Sequence, residues 1–234
     1  MVYLNFFFRF TFLIIWVVLG FLALLLISPP RMANIKKKVI RYWSKILLLL
    51  IRLRVICKGE KNELPEYPFI VVANHISWVD IFVLLSVLPI SFIAKIEIKK
   101  WFFLGYLVEM AGTIFIDRNR RKSLNEVAKE IIQKSADQKK SFAFFPEGKT
   151  SSGKTIQKFH SGLFSLFLEN QELTPLPVLV KYKRDDAFTD ICAYVGEMTL
   201  LESVVRIIRN PNLTAEVHIM PVSIIKNDSD LIPS

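Results

Sequence analysis

The sequence predicts an α/β domain whose mixed central sheet of about seven strands is flanked by helices and preceded by an N-terminal two-helix membrane anchor. Three observations carry that prediction. Beyond Pro65, short apolar runs alternate with longer amphipathic ones, the pattern of strand and helix in turn. From Phe10 to Ile27 the chain reads FTFLIIWVVLGFLALLLI, uncharged and close to the shortest helix that spans a bilayer. The 234 residues include 11 scattered prolines and 8 glycines but no linker, low-complexity stretch or internal repeat, so one domain with a terminal appendage accounts for the length. The expected division is residues 1–60 for the membrane-anchoring helices and residues 61–234 for the α/β domain.

The apolar segment is followed by Arg31, Lys36, Lys37, Lys38 and Arg41, while only Arg9 and the terminal amine precede it. By the positive-inside rule the bulk of the protein faces the cytoplasm, anchored to the membrane by its N-terminal helices. A cleaved secretory signal is disfavoured because no A-x-A-like site follows the run and the basic cluster opposes translocation. The next segment, Ile35 to Ile56, mixes KKK and RLR with ILLLLI, which suits a helix lying partly in the lipid interface.

Strands are expected at Phe69 to Ala73, Ser91 to Ala94, Thr113 to Asp117, Ser141 to Phe145, Leu176 to Tyr182, Ile191 to Val195 and Ala215 to Val222. Helices fill most of the gaps. The clearest begins at Ser123, where S-L-N-E supplies a capping box and Val127, Ile131 and Ile132 form one apolar face. Others are expected at Val79 to Leu88, Trp101 to Met110, Gly162 to Asn170 and Leu200 to Arg209.

A formal charge of +10 in a chain that is 52% hydrophobic points to anionic membrane lipid rather than nucleic acid, for which no reading module is present. Cys57 and Cys192 match no metal-ligand or redox spacing, so neither a disulfide framework nor a metal site is expected, and the compartment reads as reducing.

Chemistry concentrates in two stretches. In VVANHISWVD, Val71 to Asp80, a β-branched run ends in Asn74 and His75 where a helix is about to begin. Open α/β sheets place their sites at such strand ends. On a regular helix His75 and Asp80 would stand about 140° apart, so they meet only if His75 lies in the loop and Asp80 in the first helical turn. Such a pair makes a general base: the carboxylate fixes the imidazole tautomer, and the other ring nitrogen takes a proton from a hydroxyl.

The second stretch, FPEGKTSSGKT, has two readings. From Gly148 to Thr155 it spells G-x-x-x-x-G-K-T, a phosphate-binding loop of an NTPase, which requires a helix immediately after it. From Phe145 to Gly148 it spells F-P-E-G. No apolar run ending in aspartate follows to hold magnesium, which weighs against the first reading.

NHISWVD resembles the N-H-x-x-x-x-D motif of the 1-acylglycerol-3-phosphate acyltransferase family, membrane lysophospholipid acyltransferases. Three further blocks resemble that family in order: residues 94–118 ending in TIFIDR, FPEGKTSSG, and LTPLPVLVKY at residues 173–182. The resemblance implies an acyltransferase that moves a fatty acyl group from acyl-carrier protein or coenzyme A thioester to the hydroxyl of a lysolipid, without another cofactor. The first acceptor implied is 1-acylglycerol-3-phosphate, giving phosphatidic acid. It implies His75 as base and Asp80 as its orienting partner, with Arg118, Glu147 and Gly148 on the substrate side; Lys149, where the chain departs from the family, is expected to supply positive charge beside them. Ser77 is then structural; His160 and His218, which have no nearby partner pattern, are expected to be structural as well. Where the family commonly continues F-P-E-G-T-R-S, this chain has Lys149, Thr150 and Ser151, so Thr150 stands at the arginine position. Some members of the family with a small polar residue there, followed by a glycine, act on other lysolipids such as lyso-ornithine lipid.

Overall fold

The computed structural model describes residues 2–27, 32–59, 64, 69–99, 104–116, 122–138, 141–169 and 173–220. Arg118, expected on the substrate side, lies outside them.

Two long helices open the chain, α1 (Val2–Leu26) and α2 (Ala33–Leu50). They are followed by β1 (Leu53–Lys58), β2 (Phe69–Ala73), α3 (Asp80–Val87), β3 (Ile90–Lys95), α4 (Ile96–Lys99), α5 (Leu104–Met110) and β4 (Ile114–Ile116). The remainder is α6 (Lys122–Gln138), β5 (Ser141–Phe144), α7 (Ser165–Glu169), β6 (Thr174–Arg184), β7 (Ala187–Phe188), α8 (Leu200–Arg209) and β8 (Leu213–Ile219). A single sheet of 8 strands results, ordered β1-β8-β6-β2-β5-β3-β4 with β7 hairpinned on β6. It is mixed: β8 runs antiparallel to β6, and the other pairs along that order are parallel.

Alternation along the strands feeds two cores, one on each face. Phe69, Val71 and Ala73 of β2 join Val79, Val83 and Leu84 around α3, whereas Ile70 points the other way, to Phe142, Phe144 and the Val127 and Ile131 of α6. Each of these fully buried aliphatic side chains contributes about 1.5–3 kcal/mol of transfer free energy. The α/β architecture with a mixed sheet is therefore as expected.

Two local expectations are corrected. The segment read as helix to Ile56 ends as helix at Leu50, turns through Ile51 and Arg52 (φ 63°), and becomes strand β1, paired in parallel with β8. Residues 191–195, expected as a strand, form turns and loop, because Tyr194 N–H is spent on the carbonyl of Ile76 and not on a neighbouring strand.

α1 contains the one stretch, Phe7–Leu26, long and apolar enough among the described residues to cross a membrane. α2 is part of the domain, with Ser44, Leu47 and Leu48 buried and Arg41 Nε donating to the carbonyl of Ser86 on α3 at 3.1 Å. Its opposite face exposes Ile35, Tyr42, Ile46 and Leu49.

Candidate active site

The sheet connections leaving β2 and β5 run in opposite directions, β2 to β3 past β5 and β5 to β6 past β2. That arrangement opens a crevice at the carboxyl ends of the two strands. Both chemistry-bearing stretches end there: His75 lies in the loop after β2, and Phe145 to Gly148 form the turn after β5.

Asp80 is the first residue of α3, so the geometric condition for its meeting His75 is met. His75 Nδ1 and Asp80 Oδ2 stand 2.8 Å apart. A carboxylate that accepts can only face a ring N–H, so this contact puts the proton on Nδ1. The side chain of Asp80 has no exposure, that of His75 retains 17%, and Nε2 has no hydrogen-bond partner among the described residues.

Asp80 is buried without being orphaned. Its Oδ2 also accepts from the backbone N–H groups of Ile76 and Ser77, at 2.7 and 2.9 Å, and its Oδ1 accepts from the hydroxyl of Tyr182 at 2.5 Å. A charge taken out of water needs such donors, each charge-assisted bond contributing about 1.5–3 kcal/mol. The Tyr182 hydroxyl is held protonated well above the usual phenol range by its burial and then by the charge of Asp80. Burial similarly keeps the nearby Cys192 a neutral thiol.

The loop carrying His75 is clamped from three sides. Asn74 forms a pair of bonds with β6, accepting from Val180 N–H at 2.7 Å and donating to Val180 O at 3.0 Å. Ser151 N–H donates to His75 O at 2.9 Å, and Tyr194 N–H to Ile76 O at 3.0 Å. Phe145 lies flat on the imidazole, ring centroids 3.9 Å apart and planes within 7°.

Glu147 is also buried, and both its oxygens serve backbone amides: Oε1 accepts from His75 N–H at 2.8 Å and Oε2 from Gln157 N–H at 3.1 Å. It therefore braces the β2 loop against the β5 loop. Gly148 closes the turn with φ 69°, a conformation that costs any residue with a Cβ, and its N–H donates to Phe145 O. Lys149 is exposed, and the Thr150 hydroxyl donates inward to Tyr194 O. Ser77 is fully buried, with its Oγ accepting from Val79 N–H. His160 is exposed on the loop, and His218 pairs with Glu216 on β8.

The phosphate-loop reading of Gly148 to Thr155 fails on this geometry. No helix follows it immediately: residues 150–160 are irregular, and within the loop the amides of Gly148, Ser151 and Gly153 donate to Phe145 O, His75 O and Ser151 Oγ, so they are spent inside the protein and do not line an anion site.

Residues 54–181, more than half of the chain, match the family model described as acyltransferase. The chain belongs to the acyltransferase family. This acyltransferase is 29% identical over 188 residues to the lyso-ornithine lipid O-acyltransferase of Pseudomonas aeruginosa, a match spanning 80% of this chain and 70% of that protein. It is 43% identical over 102 residues to the 1-acyl-sn-glycerol-3-phosphate acyltransferase of Neisseria gonorrhoeae, a match spanning 43% of this chain and 40% of that protein. Its fold is that of the crystal structure of the 1-acyl-sn-glycerophosphate acyltransferase PlsC from Thermotoga maritima, with a TM-score of 0.64 at 19% identity, covering 98% of this chain and 88% of that one.

Sequence reasoning missed Tyr182, Asn74, Phe145 and Ser151 as parts of this candidate site. Asn74 was open to notice within N-H-x-x-x-x-D; Tyr182 carries no local signal, because its partner lies 102 residues away in the chain.

Proposed function

We propose that the protein transfers a fatty acyl group from an acyl thioester to the free hydroxyl of a membrane lysolipid, with His75 as general base. The observation that carries this reading is the His75–Asp80 contact at 2.8 Å, which leaves Nε2 without a hydrogen-bond partner among the described residues on a side chain that keeps 17% of its exposure. Nε2 removes the hydroxyl proton as the acceptor oxygen attacks the thioester carbonyl. The tetrahedral intermediate then collapses, the carbon–sulfur bond breaks, and the leaving thiolate takes the proton back from Nε2–H. Asp80 holds the imidazole in the Nδ1–H tautomer and stabilises its protonated form. The donor is an acyl-carrier protein or coenzyme A thioester; both are acidic and suit a chain of net charge +10.

The first acceptor is 1-acylglycerol-3-phosphate, the substrate named for the Neisseria gonorrhoeae relative, with Arg118 gripping its phosphate and Gly148 and Lys149 beside it. A second acceptor, lyso-ornithine lipid, is favoured by one observation: Thr150, at the position of the phosphate-gripping arginine, turns its hydroxyl inward to Tyr194 O. The longer match to the Pseudomonas aeruginosa enzyme supports the same acceptor. The apolar face of α1 seats the domain in the membrane, and the exposed Ile35, Tyr42, Ile46 and Leu49 row of α2 rests at the interface, with the catalytic domain on the cytoplasmic side.

Incubating the full chain in vesicles with a labelled acyl thioester and a panel of lysolipids tests this reading. Label entering phosphatidic acid or ornithine lipid names the acceptor. No label in any lipid, from folded protein and either thioester, overturns the proposal.

A further inference from the structure

We propose that Tyr182 is a positioning residue for the transfer: its hydroxyl pins Asp80 Oδ1 so that Oδ2 faces His75, and it restrains how basic Asp80 makes the imidazole. The proposal rests on the reading of His75 as the base. Its structural ground is independent of any motif.

Asp80 Oδ2 is approached by three donors, His75 Nδ1 and the amides of Ile76 and Ser77, all from the loop 75–77. Donors on one oxygen alone leave the carboxylate free to tilt about its Cβ–Cγ bond. Tyr182 approaches the other oxygen from β6, and at 2.5 Å its bond lies at the short end expected of O–H donating to a carboxylate. The phenol itself has no freedom, being 1% exposed within the core that includes Val79, Val83 and Val180. Its height along β6 is fixed as well. Asn74 grips both backbone groups of Val180, and Tyr182, two residues on, points to the same face of the sheet. One strand therefore locks both the asparagine and the aspartate of the motif.

The hydroxyl also shares the charge of Asp80. A carboxylate already donated to on Oδ1 is a weaker acceptor on Oδ2, so it stabilises the imidazolium less than it otherwise would. Removing the hydroxyl concentrates charge on Oδ2, raises the proton affinity of His75, and lets the ring leave its angle. Three other ionisable groups stand about this cluster. Cys192 is buried as a neutral thiol, Arg206 is engaged with Asp190 at 3.1 Å, and the Glu147 carboxylate is held by two backbone amides.

The test is histidine-selective nitrogen NMR on the full chain in micelles, run beside pH profiles of transfer. Only three histidines are present, so His75→Ala assigns the His75 resonances. In Tyr182→Phe the titration of His75 moves upward by about half a unit or more, the acid limb of kcat/KM moves with it, and kcat falls about tenfold while KM for the acceptor stays close to wild type. Site-specific 3-fluorotyrosine at position 182, a stronger donor of the same shape, moves the titration downward and decides the matter if Tyr182→Phe does not fold. Superimposable titrations in wild type and both variants overturn the proposal. The NMR titration reads the Tyr182 effect even from protein that transfers nothing, an outcome that would count against the proposed function alone.

Discussion

Trp16 of α1 and Trp43 of α2 exchange hydrogen bonds: each indole N–H donates to the other residue's carbonyl, at 3.0 and 2.9 Å. Gly20 makes the exchange possible. A Cβ there would sit 2.1 Å from Trp43 Nε1, so only glycine lets the indole reach across the helix pair. The apolar N-terminal helix is thereby tied through α2 to α3, the helix that begins at Asp80.

Gly20→Leu forces the two helices apart. Overpacking of this kind costs about 1–3 kcal/mol, so thermal unfolding in detergent should occur several degrees lower than in wild type. The transfer rate per folded molecule should stay within a few-fold, because no group of the site moves.

Asn74→Ala leaves the N–H and C=O of Val180 unpaired inside the protein. Each orphaned group costs about 1–3 kcal/mol. Urea unfolding should show a lower midpoint with an unchanged slope, and activity should fall further than stability because the His75 loop loses its tie to β6.

Glu147→Gln separates a brace from a substrate contact. The new amide keeps one oxygen for one backbone N–H but presents its own donors to the other, which opens the contact between the loops after β2 and β5. Steady-state kinetics should show kcat lowered about tenfold or more with KM for the lysolipid little changed. A raised KM at unchanged kcat would instead mean that Glu147 holds the acceptor.

Glu216 on β8 supplies a pH prediction. The Lys58 ammonium first, then Lys183 and His218, hold its carboxyl at about 2, below an ordinary value of 4.5. The folded form binds its proton less readily than the unfolded chain, so this group's contribution is fully present above pH 4.5 and is lost as pH falls through about 2. Wild type should therefore lose stability across that window more steeply than Glu216→Gln, as measured by urea unfolding at each pH.

The parts of the fold legible in the sequence are those with local punctuation. α8 was expected at its observed limits, Leu200 to Arg209, and Thr199 and Glu202 form the capping box that starts it. β1 was not legible because no glycine or proline separates ILLLLI from LRVICK; the turn is made by Arg52 at positive φ, which residue type alone does not announce. The apolar run at residues 191–195 reads as a strand, yet its burial comes from packing under the His75 loop rather than from a sheet partner. At the site, the His75–Asp80 pairing was legible from a five-residue spacing, whereas the inward turn of Thr150 and the Tyr182 hydroxyl on Asp80 depend on contacts 44 and 102 residues apart in the chain.

The central claim is tested most directly by the rate of acyl transfer from a labelled thioester to the lysolipid acceptor in His75→Ala, with folding verified by thermal unfolding. The account predicts a loss of about 10²–10⁴-fold, the contribution expected of a positioned general base. Transfer at the wild-type rate by the folded variant would contradict it.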